Sequence, residues 1–318
     1  MDNFDIEEYI NTLPLNTKCI TVSFKNLTYI PDLSRFIKLD TLICCYNNIT
    51  ELPNLPDSLK YLICHHNNLT SLPYLNSNLI EIHCRENKLT WLPNLNEELI
   101  YLDCSENLLD QLPYLNKYLE YLDCSYNNLT QLPRLNHYLK NLLCHNNNLF
   151  CLPNFYEKLE SVNCSYNDLT KLPHFNKYLL NIICNNNKLT WLPPFNSNLQ
   201  EIDCDDNYLK EIPTFNKKIV LLSCNNNQLT WLPPINYSLK YLSCDDIFNV
   251  KDDLYINIDI LNNFRFTFYC LKFKNKFKRW LWEKVREPKI MKKFHPDHLN
   301  TLQETDDLEV FLEEWIKK

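Results

Sequence analysis

Cysteine, histidine and the carboxylates are the residues of this chain that could do chemistry, and their spacing limits what that chemistry is. Eleven of the fifteen cysteines, from Cys44 to Cys244, stand 20 residues apart. A thiolate can act as nucleophile, metal ligand or disulfide partner. No C-x2-C pair occurs, so zinc and iron–sulfur ligation have no framework. Thiols stacked on one face would point the same way, which suits disulfide torsions poorly. Small, buried, reduced thiols acting as hydrophobes are therefore expected. Cys45, Cys151 and Cys270 lie off the ladder. Cys45 is expected to face solvent and to alkylate before Cys124. His65, His66, His83 and His145 gather toward one end and read as surface residues rather than a zinc site. Asp103 and Asp123, one repeat apart, have the type of a hydrolase dyad without a cleft-forming loop. The chain has no glycine, which excludes phosphate loops and dinucleotide fingerprints. No catalytic residue, metal, cofactor or small-molecule substrate is expected.

What positions these residues is a repeat. Asn recurs from Asn47 to Asn227 and Pro from Pro53 to Pro233 at the same 20-residue step. The unit reads L-x-x-L-x-C-x-x-N-x-L-T-x-L-P-x-L-N-x-x, as in Leu59, Leu62, Cys64, Asn67, Leu69, Leu72, Pro73 and Leu75. Leu62 and Cys64 alternate, so they share one face of a short strand. Strands of successive coils then pair in parallel. The structural ladder comprises Cys64, Asn67, Cys84, Asn87, Cys104, Asn107, Cys124, Asn127 and their equivalents. The amide of each ladder Asn is expected to satisfy backbone groups at a buried turn. Pro fixes φ and lacks an N–H, which predicts an extended, polyproline-like return path. Asn76, Asn96, Asn116 and Asn136 are expected to take left-handed turns in place of glycine. Trp91, Trp191 and Trp231 share one position and are expected to shield the ascending turn. The first coil is expected to align Val22, Phe24 and Asn26 with one residue missing, and to hold a small insertion at Ser34–Arg35–Phe36.

This unit resembles the leucine-rich repeat, L-x-x-L-x-L-x-x-N/C-x-L, with Cys in place of the third Leu. Its length and L-P step resemble the bacterial effector-type repeats of the YopM and IpaH kind. Its Asn-, Lys-, Ile- and Tyr-rich composition and cysteine ladder look more like leucine-rich-repeat proteins of mimivirus-like giant DNA viruses. The resemblance covers roughly residues 20–246. It implies a leucine-rich-repeat solenoid of about 11 coils, with a parallel β-sheet on the concave face and an extended convex side. It also implies a non-enzymatic module that binds a host or viral protein. A ubiquitin-ligase-type effector or adaptor is the alternative, although residues 247–318 are too few for a ligase domain of the IpaH kind.

With the interior assigned, the outward strand positions follow. They hold Glu81, Glu86, Asp103, Glu106, Asp123, Glu201, Asp203, Asp205, Asp206, Asp245 and Asp246, against one strong base, Arg85. Tyr61, Tyr101, Tyr121, Tyr126, Tyr166 and Tyr241 add aromatic surface, which interfaces favour. The expectation is an acidic, Tyr-rich concave face for a basic protein segment. Tyrosines at the positions equivalent to 78 vary, and no reading is drawn from them.

Residues 1–19 are expected to cap the N-terminal end, residues 20–246 to form the solenoid and residues 247–318 a basic helical segment. Between Arg265 and Lys293 the local net charge is about +9, leaving about −16 for the rest of a chain of net −7. Helical periodicity over 264–287, ended by Pro288, and a second apolar stripe from Leu308 to Ile316 predict two amphipathic helices. The basic helix is expected to dock near the acidic end of the face. Contact of residues 264–293 with nucleic acid or anionic membrane is the less favoured alternative. The acidic start, MDNFDIEEYINTLPLN, lacks the pattern of a signal peptide. The expected setting is the host cytoplasm or virion, not secretion.

Overall fold

Each Leu-x-Cys alternation in the computed structural model forms a strand three residues long, such as Tyr61–Ile63, with its middle residue buried. The structure describes residues 4–230, 232, 233, 235 and 238–244. Among the described residues twelve such strands, β1 (Cys19–Thr21) to β12 (Tyr241–Ser243), form one parallel sheet in sequence order. Pairing is in register with the repeat: Leu62 faces Ile82, which faces Leu102. Parallel neighbours need a crossover, and here each coil supplies it without a helix. The return path through Leu69, Leu72 and Leu75 is irregular and extended, and those leucines are buried. Among the described residues no helix is long and apolar enough to cross a membrane.

The ladder asparagines tie the coils together. The Asn67 Oδ1 accepts from the Ile49 N–H at 3.0 Å. Its Nδ2 donates to the Cys44 carbonyl of the preceding coil and the Cys64 carbonyl of its own, both at 3.0 Å. One buried amide thus satisfies backbone groups in two coils, groups that would each cost about 1–3 kcal/mol if stranded. The thiols contribute as well. Cys84 and Cys104 each donate Sγ–H to the next coil's strand carbonyl, Asp103 and Asp123 respectively, at 3.3 Å. Burial pushes the ladder thiols up, to about 12 at Cys44 and Cys164.

The left-handed turns differ from expectation. They fall two residues after each ladder cysteine, at Tyr46, His66, Glu86, Glu106, Tyr126 and onward to Asn226, with φ between 49° and 56°. Each such residue costs about 1–2 kcal/mol of backbone strain without glycine. Ladder hydrogen bonds hold it in place; the His66 N–H bonds the Arg85 carbonyl at 3.0 Å. Asn76, Asn116 and Asn136 instead form a second buried amide ladder. The Asn136 Nδ2 donates to Asn116 O at 2.7 Å and Leu119 O at 2.9 Å, while its Oδ1 accepts from the N–H groups of Tyr138 and Leu139.

Three further expectations are corrected. Cys45 is buried, its Sγ 3.0 Å from the Ser23 Oγ, and among the described residues the exposed cysteine is Cys19. The residue after the ladder position leans inward beside the left-handed turn, so Ser105, Ser125 and Ser165 are buried there too. In the first coil Cys19 pairs with Thr41, so Val22 takes the ladder-cysteine position, Phe24 the left-handed position and Lys25 the ladder-Asn position. No residue is missing there; the extra length lies in the return path, where Phe36 is fully buried. Trp91 and Trp191 are exposed, so they shield little.

Helix α1 (Ile6–Thr12) precedes the sheet. Asp5 caps it, accepting from the N–H groups of Glu7 and Glu8. Its Ile6 and Ile10 are buried. Tyr29 donates to Glu7, and Arg35 of the first coil reaches the carbonyl of Ile10, so the helix lies against coil one. The two amphipathic helices expected after residue 250, with Cys270, Asp245 and Asp246, lie outside the described residues, as does Trp231.

Candidate functional site

Because each outward strand residue repeats in register, the sheet face is a set of columns. One column runs Tyr61, Glu81, Tyr101, Tyr121, and its partner Ile63, His83, Asp103, Asp123. The structure brings these together as anticipated by the repeat. Tyr101 and Tyr121 stack at 4.3 Å between ring centroids with 4° between planes, and His83 stacks on Tyr101 at 4.6 Å. Burial, then the Asp103 carboxylate, raises the Tyr101 phenol; burial, then Tyr101, raises Tyr121. Both rings therefore stay neutral, and their hydroxyls hydrogen-bond to each other.

The acidic residues are not one continuous groove. They fall into two groups separated by Asn141, Leu143, Ser161, Asn163, Asn181 and Ile183, none of them charged. In the first group the side chains are largely satisfied by their neighbours. Arg85 pairs with Glu106 at 2.5 Å, His66 with Glu86 at 2.6 Å and His83 with Glu81 at 3.4 Å. Asp103 Oδ1 accepts from both the N–H and the Oγ–H of Ser105, and Asp123 Oδ1 does the same with Ser125. These two carboxylates close the strand ends as Asx turns. Burial raises the Asp123 carboxyl and lowers the neighbouring His145.

The second group is different. Asp203, Asp205 and Asp206 crowd one coil beside Glu201, and among the described residues none pairs with a Lys, Arg or His. Their partners are neutral: Asn185 donates to Asp203 at 2.9 Å, and Ser223 and Asn225 donate to Asp205. Burial, with the like charges of Asp205 and Asp206 adding to it, pushes the Asp203 carboxyl up to about 6. Burial likewise raises Asp205. Among the described residues no group of three or more His, Cys, Asp and Glu is placed to hold a metal ion. His65 and His66 meet through their Nδ1 atoms at 2.9 Å instead.

One feature escaped the reading of the sequence. Along the edge where the return path turns back to the sheet, Lys117, Tyr118, His137, Tyr138, Lys158, Lys177 and Tyr178 occupy two adjacent columns. Their repetition is weak in residue type and becomes visible only when the positions are read coil against coil.

No protein-family model matches the sequence, and no curated protein matches it. Solved structures do. The chain is similar to YopM from Yersinia enterocolitica WA-314, with 30% identity over 69% of this chain and 53% of that one, at a TM-score of 0.60. It therefore spans about half the length of that protein. The leucine-rich effector protein YopM from Yersinia pestis is 29% identical over 71% of each chain, at a TM-score of 0.65. The APL1 leucine-rich repeat domain, at 21% identity and a TM-score of 0.59, shares the fold. The described coils thus form a leucine-rich-repeat solenoid with a step of about 20 residues. That fold fits a protein-interaction module.

Proposed function

We propose that this solenoid is a non-enzymatic interaction module that binds a basic protein segment on the outward face of its sheet. The observation that carries this reading is the acidic group at Asp203, Asp205 and Asp206. Asp203 and Asp205 are held partly out of water with no cation beside them among the described residues, which destabilises the free protein, and a Lys/Arg-rich segment would relieve them. Tyr61, Tyr101 and Tyr121 add rigid aromatic contact surface of the kind found at binding hot spots. Glu81, Glu86, Asp103, Glu106 and Asp123 shape the other end of the face, where Glu106 pairs with Arg85 and the others meet His or Ser side chains. The similarity to YopM effectors supports a role in engaging a host protein. The reduced, buried cysteine ladder fits a reducing compartment such as a host cytoplasm. The composition suits a giant-virus origin.

The test is binding of a fluorescent Lys/Arg-rich peptide to the full chain, read by anisotropy at low and physiological salt. Combined Asp203→Asn, Asp205→Asn and Asp206→Asn is expected to weaken binding about tenfold at low salt, with less effect as screening grows. Unchanged affinity in a variant that melts like the parent would overturn the reading.

A further inference from the structure

We infer that the solenoid has a second recognition surface of opposite sign: a basic strip along one edge, braced by tyrosines, that binds an acidic protein segment. It goes beyond the sheet-face reading and does not depend on it.

The strip is built by the same repeat. Residues 117, 137, 157, 177, 197 and 217 form one column, and their successors form the next. In these two columns stand Lys117, Lys158, Lys177, Lys217 and Lys218 against a single acid, Glu157. In the earlier coils the same columns hold Lys38 at the first coil, then Asp57, Glu97 and Glu98 with no further cation before Lys117. The sign of the edge therefore reverses along the solenoid. Among the described residues lysines form ion pairs at Lys140–Glu120 and Lys188–Asp168, and none of the strip's five does so. All five are exposed.

Aromatic rings hold several of these cations in place. Lys158 Nζ sits 4.0 Å from the Tyr138 ring centroid, Lys177 Nζ 4.7 Å from Tyr178 and Lys117 Nζ 5.0 Å from Tyr118. Arg134 Nε donates to the Tyr156 hydroxyl at 2.5 Å, and His137 packs on the same ring at 4.1 Å. Tyr118 and Tyr138 contact each other edge-on at 5.5 Å. A lysine otherwise loses rotamer freedom when it binds. Cation–π contacts restrict that freedom beforehand and leave the ammonium N–H groups facing outward.

Two observations favour an acidic peptide over nucleic acid. One face each of Tyr118, Tyr138 and Tyr178 is taken by the protein's own lysine, which leaves less ring surface for base stacking, a main source of single-strand affinity. Glu157 also stands mid-strip, beside Lys158, where a continuous phosphate backbone would meet it. A peptide of mixed sequence can place a neutral or basic residue there. Five coil steps at ~4.8 Å span about 24 Å, the reach of about seven residues of extended chain.

The probe is a short Glu/Asp peptide carrying a fluorophore and a photo-crosslinking group, used with the full chain; a Gln peptide and a single-stranded RNA run beside it. Lys158→Gln with Lys177→Gln is expected to weaken acidic-peptide binding about fivefold, while Asp203→Asn on the other face does not weaken it. Cross-links are expected within residues 114–218. Both substitutions lie at exposed positions, and a melting curve checks that the fold is intact. Unchanged affinity in that double variant, or cross-links confined to the basic stretch 265–293, would overturn the inference. So would RNA binding that is tighter than the peptide's and lost with the same two lysines, which would assign the strip to nucleic acid. Failure of the Lys/Arg peptide on the sheet face leaves this result unaffected, because the two probes carry opposite charge.

Discussion

The sheet face at Glu81–Glu106 and the sheet face at Glu201–Asp206 are made by the same coil, yet they handle charge in opposite ways. In the first, Arg85, His66 and His83 lie against Glu106, Glu86 and Glu81. In the second, three aspartates share one coil with only Asn and Ser as partners among the described residues. Behind both faces the interior is the same: buried Leu or Ile, buried Cys and buried Asn at identical spacing. The fold does not dictate outward residues, so a difference confined to them is where a solenoid acquires specificity. Among the described residues the acidic end stays partly desolvated with no cation beside it, a local conflict of the kind that functional sites retain at some expense in stability.

The comparison breaks first if the interior is not the same at both ends. Asn87 accepts from the Leu69 N–H at 2.9 Å and donates to Cys64 and Cys84 carbonyls at 3.1 Å. Asn207 accepts from the Leu189 N–H at 3.0 Å and donates to Cys184 and Cys204 carbonyls at 3.1 Å. Each Asn→Ala change strands the same buried groups, so each is expected to cost about 1–3 kcal/mol by urea denaturation. Asn127→Ala belongs to the same class, and Asn128→Ala, at its exposed neighbour, should cost far less. A difference above about 1 kcal/mol between Asn87→Ala and Asn207→Ala would show that the ends differ inside as well as outside.

A smaller effect sharpens the contrast in charge. The Asp203 carboxyl titrates near 6 in the fold, above the ordinary value of 3.8. A raised carboxyl means that the folded state holds its proton more tightly than the unfolded state. Stability therefore falls as pH rises from about 4 to about 6, then levels off. Asp203→Asn removes that loss. At pH 7 it is expected to stabilise the chain by about 1 kcal/mol, reduced from the full shift because the group is partly exposed. The gain should vanish below about pH 4, where the parent carboxyl is protonated in both states. A gain that persists unchanged at low pH would mean that packing, not charge, is responsible.

Much of this was legible in advance because the repeat is registered. The 20-residue step of Cys64, Asn67 and Pro73 specifies the strand, the buried amide and the helix-free return path. Less visible was conformation that no residue type announces. The left-handed site is held by Tyr46, His66, Glu86 and Asp206 alike, because ladder hydrogen bonds impose it whatever the side chain. The N-x-x-L pattern at Asn136 did contain a signal for an Asx turn. Cys45 misled because the strand alternation was extended one residue too far, into the turn. The outward acids were identifiable by position but not their partners, since Arg85 meets Glu106 only across neighbouring coils. The basic edge was hidden for the same reason: Lys158 and Tyr138 are 20 residues apart in sequence and 4.0 Å apart in space.

The smallest expected effect bears most directly on why the two faces differ. Arg85 and Glu106 are both partly exposed, so their pairing at 2.5 Å is worth only about 0.2–1 kcal/mol, and less at high salt. A double-mutant cycle of Arg85→Gln and Glu106→Gln should return a coupling in that range by thermal denaturation at low ionic strength. Binding is the sharper readout. If pairing is what keeps the first face from attracting cations, Arg85→Gln alone frees Glu106 beside Asp103 and removes a repelling charge. Affinity for a Lys/Arg-rich peptide should then rise about twofold at low salt, and Glu106→Gln in the same background should cancel the rise. Were Arg85→Gln to leave peptide affinity flat while the cycle shows real coupling, the faces would differ by geometry. Attention would then move to the Asp103 and Asp123 turns, which already commit one oxygen each to Ser105 and Ser125.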